Sequence, residues 1–174
     1  MSLAGIEKID HVCIAVRDID RACRLFIDVM GGSFVGGGDN PALGVRAVQI
    51  HLGKVKVELL QPQEPGGYLE RYIDKHGEGF HHLTMYVDDV EATDAVLREQ
   101  GYETVDLSTE RTSWKETFLR PTSAFGALIQ LSRPGDPWPE QIPGITVDDV
   151  LAGKVAILDN VVTWKESGER IWPT

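Results

Sequence analysis

The chain has no apolar run approaching the roughly 18 residues of a membrane-spanning helix, so no membrane partner is expected. Its start, Met1-Ser-Leu-Ala-Gly, has neither the basic opening nor the apolar stretch of a secretory signal. Cysteine is nearly missing: Cys13 and Cys23 alone make no disulfide framework. A reducing, cytoplasmic setting is the simplest expectation. Positive charge is also short, with 17 Lys and Arg against 27 Asp and Glu and a net charge of −10. That balance excludes nucleic acid as the expected partner, because phosphate binding needs a concentrated excess of Lys and Arg. The basic stretches Lys54–Lys56 and Arg111–Lys115 read either as a solvated face or as a local groove for a small anion.

What is present is ordinary for a globular chain of 174 residues, with 42% apolar and 25% charged residues. That length allows one domain, or two small modules sharing a core. Ile9–Val16 alternates and is rich in β-formers, which predicts a strand. Asp18 can cap a helix running to about Met30, where Gly31 and Gly32 stop it. Gly36–Pro41 reads as a loop. Val45–Leu52 and Val55–Leu60 read as strands, with Pro62 closing the second.

The order then recurs: a strand at His81–Val87, a helix from Asp89 to about Gln100, and strands at Thr117–Leu119 and Ala127–Leu131. The halves superpose at an offset of 71 residues for His11 on His82, Val16 on Val87 and Asp18 on Asp89. At an offset of 72, Val57-Glu58-Leu59 falls on Ile129-Gln130-Leu131, and Pro62 on Pro134. This is an internal repeat in which each half reads β-α-β-β-β. The predicted fold class is α+β, with two paired βαβββ modules forming a curved, partly open sheet around a metal cleft. The expected boundaries are a first module at 6–62, a linker helix within 63–79, a second module at 80–134 and a C-terminal extension at 135–174. Tyr68–His76 supplies the helical spacing in the linker. In the extension, Val155–Leu158 and Val161–Trp164 predict a hairpin around Asp159-Asn160. The extension either covers the cleft or builds a subunit interface, and a homodimer is the expected assembly.

Strand alternation sets His11 and Cys13 on one face of the first strand, Lys56 and Glu58 on one face of the fourth, His82 and Thr84 on one face of the fifth, and Gln130 with Ser132 in the last. A lone strand histidine is usually a hydrogen-bonded core residue. Two at matched repeat positions, beside a matched Glu/Gln pair, point instead to metal. His11, Glu58, His82 and Gln130 offer two imidazoles, a carboxylate and an amide oxygen, which suits one divalent ion: Zn, Ni, Co, Mn or Fe. His81 alternates onto the apolar face and is expected to be structural or to orient a neighbour. Cys13 and Cys23 are expected to pack.

The stretches IDHVCIAVRDID, VELLQP, GEGFHHLTMYVDDVE and ALIQLSRP resemble the vicinal-oxygen-chelate superfamily, which includes glyoxalases, bleomycin resistance proteins and dioxygenases. Within it they are most similar to the methylmalonyl-CoA epimerase branch, with glyoxalase I the next pattern. The resemblance covers Ile6 to Pro134. It implies paired βαβββ modules around a metal held at His11, Glu58, His82 and Gln130. It also implies a small-molecule substrate, an acyl-CoA or another thioester, isomerised through a metal-stabilised enolate.

The chain departs from that pattern at the last ligand position. The epimerases and glyoxalases carry there a glutamate that also moves a proton; here it is Gln130. The position of the epimerases' other base falls on or near Ala47. Glu58 is then the candidate base as well as a ligand, and Lys56 can hold an anionic substrate group or act as the second acid. Glu116 is a further candidate base that the sequence does not place in the cleft. The alternative readings are a glyoxalase I-type lactoylglutathione lyase or non-haem metal oxygenase, and a non-enzymatic small-molecule binder on the same fold.

Overall fold

The computed structural model describes residues 4–173. In chain order the elements are β1 (Ile6–Ala15), α1 (Ile19–Cys23), β2 (Ser33–Asn40), β3 (Val45–Leu52), β4 (Val55–Pro62), α2 (Tyr68–His76), β5 (Gly79–Val87), α3 (Val90–Glu99), β6 (Thr104–Ser108), β7 (Trp114–Leu119), β8 (Ile129–Pro134), α4 (Val147–Leu151), β9 (Val155–Leu158), β10 (Val161–Trp164) and β11 (Arg170–Trp172). Among the described residues, no helix is long and apolar enough to cross a membrane.

The two helix starts expected from the repeat form with matched caps. Asp18 Oδ1 accepts from Arg21 N at 2.9 Å, and Asp89 Oδ1 accepts from Ala92 N at 3.0 Å. Each satisfies a backbone donor that the first helical turn leaves open. After Cys23 the first helix widens into π-helical turns over Arg24–Val29. It stops where Gly31 turns to φ +75°.

The chain divides into two compact units. The larger comprises Cys13–Phe80 and the chain from Trp138 onward; the smaller comprises the chain up to Val12 and His81–Pro137. β1 contributes residues to both.

In the larger unit the strand order is β11-β10-β9-β2-β3-β4-β1. Gly36–Pro41, expected as a loop, is instead mostly strand: β2 pairs antiparallel with β3, setting Gly37 opposite Val48. The glycines serve close packing rather than a turn. A Cβ on Gly37 would lie 2.4 Å from the Ala47 carbonyl oxygen, and one on Gly36 would lie 2.7 Å from Ile142 Cδ1. Turn-forming composition and tight strand packing select the same residue, so composition alone misreads the segment.

The C-terminal extension packs into this unit. Ile142, Ile145, Val150, Val155 and Val162 join Val45, Val48, Ile50 and Leu59 in one buried core. Burying each such side chain is worth roughly 1.5–3 kcal/mol. Ile142 N donates to Val35 O at 2.7 Å, and β9 runs parallel to β2 with Ala156 opposite Asp39. The hairpin between β9 and β10 turns at Asp159 and Asn160, both at positive φ as a two-residue turn of the twisted kind requires. Arg46 grips Asp39 with two hydrogen bonds, Nε to Oδ1 at 2.6 Å and Nη2 to Oδ2 at 3.1 Å, while Lys165 reaches the same carboxylate from the extension. Burial alone would raise the Asp39 pKa; the hydrogen bonds from Arg46 and Lys165 outweigh it and hold the carboxyl below its usual range.

In the smaller unit the order is β1-β5-β8-β7-β6. β5 and β8 run parallel with Thr84 opposite Gln130, and Val87, Val90 and Leu131 form the core. β7 begins at Trp114, earlier than the expected Thr117, and β8 begins at Ile129, later than Ala127. β6 has no alternating signal, since only its first residue, Thr104, is buried.

Candidate metal centre

The smaller unit carries three of the four predicted ligands. His11 lies on β1, His82 on β5 and Gln130 on β8, all buried. A ring nitrogen of His11 and one of His82 lie within 4.8 Å of each other. Thr84, two residues from His82 on the same strand face, ties the third to the first: its hydroxyl donates to Gln130 Oε1 at 2.6 Å and lies 2.9 Å from His11 Nε2. The amide oxygen and the imidazole nitrogen therefore both reach a single hydroxyl.

Each of these side chains is braced from behind. Asp10 Oδ2 lies 2.8 Å from His11 Nδ1, which leaves Nε2 as the atom turned toward Thr84. His81 Nδ1 lies 2.7 Å from His82 Nδ1. That is the kind of partner that fixes which nitrogen a metal-binding histidine presents. The Phe118 ring meets His82 edge-on at 6.5 Å. Gln130 Nε2 donates to Glu116 Oε2 at 2.6 Å, and Trp114 Nε1 donates to the same oxygen at 2.8 Å.

The larger unit carries the predicted carboxylate. Glu58 on β4 pairs opposite Gln49 of β3, and Gln49 Nε2 donates to Glu58 Oε1 at 3.0 Å. Cys13 is fully buried beside Glu58 and packs in the core. Burial, and then the negative Glu58, raise the Cys13 pKa well above the ordinary thiol value, so the sulfur keeps its proton at neutral pH. Lys56, two residues before Glu58, is buried opposite His51.

The donors of each unit are of kinds that bind divalent cations. The smaller unit offers two imidazoles and one amide oxygen, buried and oriented by hydrogen bonds; the larger offers the Glu58 carboxylate, which accepts from Gln49. Borderline ions such as Zn²⁺, Co²⁺ or Mn²⁺ take this mixture of nitrogen and neutral or charged oxygen.

Several residues of these clusters carry little sequence signal. Thr84 is readable from alternation with His82. Asp10 is not, because neighbouring residues on an ideal strand face opposite ways. Gln49 and Trp114 have no repeat partner to mark them, and Glu116, left unplaced by the sequence, is joined to Gln130.

A family model described as the Glyoxalase/Bleomycin resistance protein/Dioxygenase superfamily matches residues 10–118, and the chain belongs to that superfamily. It is similar to an ethylmalonyl-CoA/methylmalonyl-CoA epimerase of Cereibacter sphaeroides, 28% identical over 132 residues, covering 74% of this chain and 98% of that one. It is also similar to the human mitochondrial methylmalonyl-CoA epimerase, 25% identical over 135 residues, covering 76% and 77%. Among solved structures, the methylmalonyl-CoA epimerase of Mycobacterium tuberculosis matches with TM-score 0.69 and 28% identity, over 79% of this chain and 93% of that one. The shared fold is mixed α+β with a large open curved sheet and few helices.

Proposed function

We propose that the chain is a metal-dependent epimerase or isomerase that moves a proton at the carbon next to the carbonyl of an acyl-CoA or similar thioester. His11, Glu58, His82 and Gln130 would hold one divalent cation. When bound, such an ion supplies the Lewis acidity that makes the adjacent C–H acidic enough to exchange. The relatives named above are epimerases of acyl-CoA substrates, which supports a thioester rather than a free sugar or peptide.

The observation that carries the reading is the environment of Glu58. Of the two proposed oxygen ligands it alone can take a proton, since the Gln130 amide cannot. Its Oε1 is held by the Gln49 amide at 3.0 Å, so the carboxylate has a fixed position from which to act. Lys56, on the same face of β4, would hold an anionic group of the substrate or act as the second acid.

The test is solvent deuterium wash-in. Metal-loaded protein incubated with methylmalonyl-CoA in D₂O should place deuterium on the carbon between the two carbonyls, read by mass spectrometry. Glu58→Gln should reduce that rate by at least about a thousandfold, as removal of a general base does at the upper end of its usual range. Wash-in unchanged by Glu58→Gln removes Glu58 from the role. No wash-in by the loaded wild type, across a panel of acyl-CoAs, ends the epimerase reading.

A further inference from the structure

We infer that Glu116 is a positioning residue that fixes the Gln130 amide with its oxygen turned toward the proposed cation. The inference rests on the metal reading above. Its basis is one juxtaposition: Gln130 Nε2 donates to Glu116 Oε2 at 2.6 Å while Gln130 Oε1 accepts from Thr84 at 2.6 Å.

The two ends of an amide are alike in size and opposite in function. Only the oxygen is a metal ligand; the NH₂ end repels a cation. A glutamine ligand therefore needs a neighbour that distinguishes the ends. An ionised carboxylate does so, because it accepts and cannot donate. Hydrogen bonds to such a group are short and roughly twice as strong as neutral ones. Turning the amide over would set its carbonyl against the carboxylate and lose that bond, while the Thr84 hydroxyl, which accepts as well as donates, would have to rotate to keep the other.

The sheet places Glu116 for this task. In the β7–β8 pairing Glu116 lies opposite Ser132, two residues along the same face from Gln130, and diagonal neighbours on one face are within reach of long side chains. Trp114, two residues before Glu116 in β7, donates to the same oxygen at 2.8 Å and keeps the carboxylate from turning away. The carboxylate is thus one hydrogen bond removed from the ligand atom.

The pairing also accounts for an amide at a position where the resemblance leads one to expect an acid. A glutamate in place of Gln130 would remove the N–H that now bridges to Glu116 Oε2 and leave acceptor oxygens facing each other there. Gln130 and Glu116 behave as a matched set, and changing one member alone should harm the site.

The test is Co²⁺ affinity, measured by competition with a chromophoric chelator on four full-length proteins: wild type, Glu116→Gln, Gln130→Glu and the double variant. Glu116→Gln keeps the shape but can donate or accept, so it no longer selects one amide orientation. With Gln130 present it should weaken Co²⁺ binding roughly tenfold, the usual scale for removing a group that orients a ligand. In the Gln130→Glu background the same change removes a repelling carboxylate and should strengthen binding. A purely structural role for Glu116 would shift affinity in the same direction in both backgrounds. That result, or no effect of Glu116→Gln on a wild-type protein that does take up Co²⁺, overturns the positioning role alone. A wild type that takes up no Co²⁺ overturns the metal reading and this inference with it.

Discussion

Gln49 donates to Glu58 from the facing position of the neighbouring strand, 3.0 Å between Nε2 and Oε1. The carbonyl end of the same amide, Gln49 Oε1, has no hydrogen-bond partner among the described residues. Nothing but Glu58 therefore selects the orientation of Gln49. A hydrogen bond to a charged group contributes about 1.5–3 kcal/mol net. The double-mutant cycle of Gln49→Leu with Glu58→Leu, measured by urea unfolding of metal-free protein, should give a coupling near the lower end of that range, since Glu58 is half-buried. Additive single effects would show that the contact contributes nothing beyond packing.

Cys23 gives a prediction with a definite sign. Burial first, and then Asp20 and Asp28, push its thiol from 9.0 up to about 12. The folded state thus keeps a proton that the unfolded chain releases between about pH 9 and 12. The unfolded state binds fewer protons in that window, so stability falls as pH rises through it. Cys23→Ala should flatten the decline in urea midpoint between about pH 8.5 and 10.5, after the offset caused by the lost side chain. At about pH 8, where both thiols are protonated, neither Cys13 nor Cys23 should react with a thiol-specific chromogenic disulfide until denaturant is added.

Gly37 and Gly53 should respond very differently to alanine. A Cβ at Gly37 meets the backbone of β3, 2.4 Å from Ala47 O and 3.2 Å from Val48 Cα, and backbone cannot rotate aside. Gly53 sits in a turn at φ +61° with nothing within 4 Å of an added Cβ. Its replacement costs only the left-handed backbone penalty, about 1–2 kcal/mol. Gly37→Ala should cost clearly more than that, at the upper end of overpacking penalties of about 3 kcal/mol or beyond. Thermal melts that rank the two the other way would mean β2 and β3 are not packed as described.

How much of this is legible in the sequence depends on which physical signal each element carries. α3 and β5 have strong periodicity, α3 has a clear cap at Asp89, and both form within a residue or two of where the pattern puts them. β2 misleads because its glycines report closeness to Ala47, Val48 and Ile142, none of which adjoins them in sequence. β6 leaves no pattern because it is an exposed edge with one buried residue. The candidate ligands are readable because polar side chains recur at matched places inside apolar strands. Their partners Asp10, Gln49, Glu116 and Trp114 are not, because a hydrogen bond between side chains leaves no periodic trace in sequence.

The place of the extension bears on how the chain comes off the ribosome. β2 gains its parallel neighbour β9, and Val35 its bond to Ile142, only from residues made late in synthesis. Until then the nascent chain presents an open β2 edge and a groove missing Ile142, Val150 and Val162. A chain cut before Trp138 should therefore be aggregation-prone and bind a dye that reports exposed apolar surface.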